Sequence, residues 1–251
     1  TFYFNVGGTG SAIHQFAGNT TIVISGCNIT RNQCRIRGAV QIDVYIDIID
    51  YVDFLPFARI ENNVFTENTG LYGCLRVSTP RSSLTNNTFA NNSGSLTGAT
   101  VVTSALYSNV TGNTWYRNTA TVYAGGHLHT GALGGHDYFY NNSFIENSAS
   151  YGGGMVWRAD GGIGYPVIID NVFQDNTATS YADGLLVDAV GNDVAVELAD
   201  NVAIRNTMYI EANYYIPPGH TATLQGSVFT IKNGTIILAA STMMDIQGLF
   251  V

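Results

Sequence analysis

Apolar and polar residues alternate along this chain in short runs broken by Asn and Gly, and helical spacing is nowhere sustained. One pattern, Asn-x-apolar-x-x-Asn, keeps returning. It reads NVFTEN at 63–68, NTFANN at 87–92, NTWYRN at 113–118, NSFIEN at 142–147, NVFQDN at 171–176 and NVAIRN at 201–206. A degenerate copy, CNITRN, puts Cys27 in the first Asn slot and Asn32 in the second. The second Asn positions, 32, 68, 92, 118, 147, 176 and 206, differ by 36, 24, 26, 29, 29 and 30. A Thr or Ser and a small residue follow the markers, then a Gly-rich corner (Gly73, Gly98, Gly125–Gly126, Gly152–Gly154, Gly184) and an apolar strand.

The unit is therefore strand, tight turn, strand, Gly corner, strand. Leucine-rich or helical repeats of similar period need Leu-x-x-Leu-x-Leu runs or paired amphipathic helices, which the chain lacks. The pattern predicts an all-β fold, a single-stranded right-handed parallel β-helix of roughly eight to nine coils. One domain spans 1–251, with the repeat core at about 22–210 and 211–251 forming the last coils or a subunit contact.

Coils of such a solenoid stack at about 4.8 Å, so equivalent residues form columns. Asn63, Asn68, Asn87, Asn92, Asn113, Asn118, Asn142, Asn147, Asn171, Asn176, Asn201 and Asn206 are expected to form amide ladders. Between them Phe65, Phe89, Trp115, Phe144 and Phe173 should stack in the core, with Ala203 breaking the column. Preceding each second Asn is a column holding the opposite-charge neighbours Arg117 with Glu146 and Asp175 with Arg205.

The segment FIENSASYGGGM, 144–155, resembles the FxxN plus GGA(I/L/V) repeat of the polymorphic outer membrane protein family and related secreted β-helix proteins. FQDNTATSYADGL is similar but departs at the Gly pair. The resemblance covers roughly 7–210. It implies a secreted or surface-displayed β-helix with an adhesive or structural role, and it carries over no catalytic residues.

Composition narrows the partners. Charged residues are 11% of the chain, where about 25% is usual. Ten Lys plus Arg against eighteen Asp plus Glu, a net charge of -8, give no basic stripe for nucleic acid. The most apolar run, 40–57, is cut by Asp43, Asp47, Asp50 and Asp53, so no membrane span is expected. The chain opens without an initiating Met or signal peptide and reads as a mature or excised segment. Seven N-x-Ser/Thr sequons occur, at Asn19, Asn28, Asn86, Asn91, Asn109, Asn141 and Asn233, and no ladder Asn is among them. Asn86, Asn91 and Asn141 each precede a ladder Asn, so strand alternation should turn them outward, where N-glycans could supply the solubility that charge does not.

Several groups bear on chemistry. Pectate lyases share this fold and hold Ca²⁺ on strand-borne Asp residues with an Arg base. Asp170 and Asp200 occupy one slot in successive coils and could seat Ca²⁺, although an ordinary acidic column is the simpler expectation, and no cofactor is required. His127 and His129 share a strand face, with His136 and Asp137 close by, which gives a possible Zn²⁺ set of unfamiliar spacing. Gln41–Phe54 lies in the longest repeat and should bulge from the coil with Asp43 and Asp47 solvated. The polygalacturonase motifs are missing. A disulfide could join Cys27 to Cys34 or Cys34 to Cys74.

Neither chain end looks capped, so copies could add end to end by strand augmentation, with 213–220 and the apolar tail as contacts. The expectation is a secreted, N-glycosylated structural or adhesive β-helix at the cell surface or outside the cell, contacting copies of itself and possibly polysaccharide. The alternatives are a polysaccharide lyase or hydrolase, and a carbohydrate-binding module using Trp115, Trp157 and the fifteen tyrosines as sugar platforms.

Overall fold

The computed structural model describes the backbone of all residues except 1, 4, 8–11, 18–20, 45–55, 132–134, 160–163, 189–194, 212, 217–220, 232–235, 239–242 and 251. Side chains are described only as far as residue 210. The chain is an all-β parallel solenoid.

One coil shows the unit. Met155–Ala159 is followed by Tyr165–Ile169, the short Val172–Gln174 and then Thr177–Tyr181, after which Leu185–Asp188 lies in parallel register on Met155–Ala159. Register then carries whole columns. The slot between the Asn positions runs Phe2, Ile29, Phe65, Phe89, Trp115, Phe144, Phe173, Ala203, Leu224 and Ile246, each paired with the next. From Ile29 to Ala203 the side chains in this slot are fully buried, and the rings among them stack as expected. Centroid separations are 4.9 Å for Phe65–Phe89, 5.3 Å for Phe89–Trp115, 4.6 Å for Trp115–Phe144 and 5.0 Å for Phe144–Phe173. Every one of these rings is fully buried.

Each coil bends sharply at two positions that need positive φ. Before the first Asn stand Gly26, Asn62, Asn86, Gly112, Asn141, Asp170 and Asp200, with φ between 51° and 68°. Before the second stand Arg31, Glu67, Asn91, Arg117, Glu146, Asp175 and Arg205, with φ between 49° and 57°. The first column holds only Gly, Asn and Asp, the residues that tolerate the left-handed region best. The second places Arg or Glu there in five of its seven positions, at about 1–2 kcal/mol each.

The ladders offset that strain. Asn87 Oδ1 accepts both the backbone N–H and the side-chain N–H of Asn63, each at 3.0 Å. Its own amide donates to Ile60 O at 2.8 Å and to Asn113 Oδ1 at 3.0 Å. Both acceptor sites and both donors of a fully buried amide are thereby filled. The second ladder, Asn32, Asn68, Asn92, Asn118, Asn147, Asn176 and Asn206, repeats the scheme. Asn5 also belongs to it, with its N–H and Nδ2 3.0 and 2.8 Å from Asn32 Oδ1. Cys27, which has no amide, gives Asn63 Oδ1 only its backbone N–H, at 2.8 Å.

The Gly corners stack by close approach of backbones. A Cβ on Gly125 would lie 2.5 Å from both Gly153 O and Ser148 N. Asp183 departs from the pattern and is accommodated because the next coil is built differently. After Asn206 the chain enters Thr207–Glu211 directly, which pairs with Leu185–Asp188, and the seven-stranded sheet ends at Thr177–Tyr181. Asp183 instead accepts Ala178 N–H at 2.7 Å and the Thr207 hydroxyl at 2.8 Å.

The three thiols are free, which corrects the expected disulfide. Cys27 fills a ladder slot, Cys34 lies on the short-strand sheet and Cys74 occupies a corner position, so each falls in a different column. The Cys74 thiol donates to Ala99 O at 3.2 Å, and burial pushes its pKa well up.

Candidate functional site: a buried histidine cluster and two outer aromatic faces

Within the strand His127–Gly131 the inward slots, which carry Leu75 and Val77, Thr100 and Val102, or Met155 and Trp157 in other coils, are taken by His127 and His129. Both imidazoles are 0% exposed. The expectation of a shared strand face holds, but that face is the interior. His129 Nε2 lies 2.9 Å from Asp137 Oδ1, and Trp157 Nε1–H donates to Asp137 Oδ2 at 3.1 Å. Asp137 reaches this contact from the neighbouring strand, His136–Tyr140, where it is also fully buried.

A second polar chain starts at Trp115, whose Nε1–H donates to Thr100 Oγ1 at 3.0 Å. Thr100 Oγ1 lies 2.6 Å from His127 Nδ1. Among the described residues, His127 Nε2 has no hydrogen-bond partner. Burial, and then the neighbouring His129, hold the His127 pKa well below its ordinary value, so this ring is neutral near pH 7. The Phe139 ring closes the cluster with edge contacts to both histidines, at 5.8 Å and 5.1 Å.

The third histidine does not join. His136 is exposed on the outer face and stacks on Tyr165 with centroids 5.5 Å apart, so the possible His127, His129 and His136 set is split by the sheet itself. Asp170 and Asp200 are corner residues with φ of 56° and 53°, a backbone requirement that explains Asp in that slot. Among the described residues, no group of three or more His, Cys, Asp or Glu is placed to hold a metal.

Trp115 and Trp157 are fully buried, which corrects their assignment as sugar platforms. Tyrosines dominate two outer faces instead. On the first, Val101, Leu128, Val156 and Leu186 form an apolar column on the outer side of their strands, covered by Tyr72, Tyr123, Tyr151 and Tyr209. Centroids are 5.7 Å apart for Tyr123–Tyr151, 6.0 Å for Tyr151–Tyr181 and 5.8 Å for Tyr181–Tyr209. The second face carries Tyr107, His136, Tyr138, Tyr140 and Tyr165. In both, neighbouring rings lie against one another in stacked or tilted poses.

The seven-stranded sheet bears an open groove of about 500 Å³, lined among others by Arg35, Thr69, Ser93, Thr119, Gly70 and Gly94. Its character is hydroxylic, with a guanidinium at one end. Near it, Asp43 pairs with Arg37 and, at 2.6 Å, with Arg76. The expected solvated face therefore becomes a half-buried ion cluster, and Asp47 lies outside the described residues.

Asn28, Asn86, Asn91 and Asn141 are exposed and Asn109 is half-exposed, while Asn19 and Asn233 lie outside the described residues. The reason for Asn86, Asn91 and Asn141 is the left-handed corner, not strand alternation. The Asn28 and Asn109 side-chain oxygens each accept the sequon hydroxyl, from Thr30 at 2.6 Å and Thr111 at 2.5 Å. The expected charge pairs form as well: Arg117 with Glu146 at 2.6 Å and Arg205 with Asp175 at 2.5 Å. Arg31 with Glu67, at 2.6 Å, is a third pair in that column, which the sequence reading passed over.

Set beside known proteins, the chain matches no family model, no curated protein and no solved structure.

Proposed function

We propose that this chain is a secreted, N-glycosylated β-helix with a structural or adhesive role, a repeating element of an extracellular filament or surface coat that contacts copies of itself. The observation that carries this reading is the division of labour among asparagines. Ladder Asn residues are buried and saturated with hydrogen bonds, whereas the described sequon Asn residues stand on corners and outer strand faces. The use of other polar groups supports it too: the His127–His129–Asp137 cluster is closed inside the core, and surface charges pair from coil to coil.

Polysaccharide binding or cleavage is the second reading, favoured by the hydroxyl-lined groove with Arg35 at its end. The test of the first reading is the intact mass of protein from its native source, before and after enzymatic removal of N-linked glycans. The proposal predicts that the native mass falls on treatment, by the mass of the glycans removed. A native mass that treatment leaves unchanged would overturn the glycoprotein reading and direct attention to turnover or binding of acidic polysaccharides.

A further inference from the structure

Tyr151 and Tyr181 are partners in parallel register, their rings nearly parallel at 20° with centroids 6.0 Å apart. Tyr181 is 56% exposed, and the ladder between these strands is irregular between Ala149 and Tyr151. That places an exposed phenol at the end of a strand, against the face of a second tyrosine. Tyr123 flanks Tyr151 at 5.7 Å and Tyr209 flanks Tyr181 at 5.8 Å, so an electron hole formed in this column has tyrosine neighbours to share it. Trp115 and Trp157, whose indoles would otherwise compete for the oxidant, are sealed in the core.

We propose that Tyr151 and Tyr181 form a site of oxidative coupling, a dityrosine staple joining successive coils. Each phenol gives up one electron and its hydroxyl proton to a peroxide-driven one-electron oxidant. The two radicals join through a new carbon–carbon bond between ring positions ortho to the hydroxyls. Loss of the two ring hydrogens as protons, with the phenol hydroxyls restored, completes the product. The peroxide accepts two electrons and two protons, its O–O bond breaks, and two waters leave. The chain becomes lighter by two hydrogens. Tyr165 supplies an internal control, because it is 41% exposed and its stacked partner is His136.

The test treats folded full-length protein with a haem peroxidase and hydrogen peroxide, reading dityrosine fluorescence, intact mass and the linked peptides. The expected product is a monomer lighter by two hydrogens, with Tyr151 and Tyr181 in one linked peptide, in a yield independent of protein concentration. Tyr181→Phe keeps the ring stack and should lose that peptide, Tyr165→Phe should retain it, and denaturation in urea should abolish the preference. A linked monomer that persists in Tyr181→Phe, coupling that occurs only between molecules, or no coupling in the folded chain would each overturn the proposal.

Discussion

Asn118 Oδ1 accepts the backbone and side-chain N–H groups of Asn92, both at 3.0 Å, while its own amide donates to Phe89 O and Asn147 Oδ1, both at 2.9 Å. Truncating such a residue strands several buried donors and acceptors at once, each worth about 1–3 kcal/mol. Asn118→Ala is therefore expected to destabilise by about 3 kcal/mol or more, measured by urea unfolding. Asn5→Ala should cost clearly less, since Asn5 is only half-buried and the hydrogen bonds it makes in the ladder both run to Asn32 Oδ1.

The neutral, buried His127 makes stability depend on pH. Its folded pKa is depressed below the ordinary value of 6.5, so the unfolded chain binds more protons below that pH. The stability it contributes is present above pH 6.5 and is lost as pH falls toward the folded pKa. His127→Leu should flatten the acid limb of a melting-temperature profile relative to the parent. An unchanged acid limb would show that His127 does not titrate against folding.

At the corners backbone conformation decides the outcome. Asp170→Gly should leave stability within about 0.5 kcal/mol, whereas Asp170→Val should cost about 1–2 kcal/mol, because a branched residue is forced to φ of 56°. Thermal melts with and without Ca²⁺ complete the test. A rise in melting temperature with Ca²⁺ that Asp170→Gly removes would restore a cation site.

Both tryptophans are sealed in the core. Their emission should be blue-shifted, inaccessible to iodide, and unmoved by added oligosaccharides. Quenching by iodide in the folded state would contradict the packing of Trp115 and Trp157.

Much of this was legible in the sequence because a solenoid repeats its constraints. Register follows from the Asn spacing, and the aromatic column from the slot between the two Asn positions. What escaped has physical causes. Asn5 was missed because the sequence shows no first Asn five residues before it, although Phe2-x-x-Asn5 carries the FxxN signal and pairs on Ile29 and Asn32. His127 and His129 look like surface residues by type, and only their register with Met155 and Trp157 turns them inward. The left-handed corners were visible as a column of Gly, Asn and Asp, yet they read as outward strand positions until the backbone gave φ. The loss of a strand after Asn206 leaves no local mark except Asp183 in a Gly slot.

Site-resolved glycopeptide mapping of protein from its native source tests the central claim most directly. The account predicts glycans among Asn28, Asn86, Asn91, Asn109 and Asn141, and none on the ladder residues, such as Asn87, Asn92 and Asn142, that sit beside them. Bare asparagine at all five positions, or a glycan on any ladder residue, would contradict it.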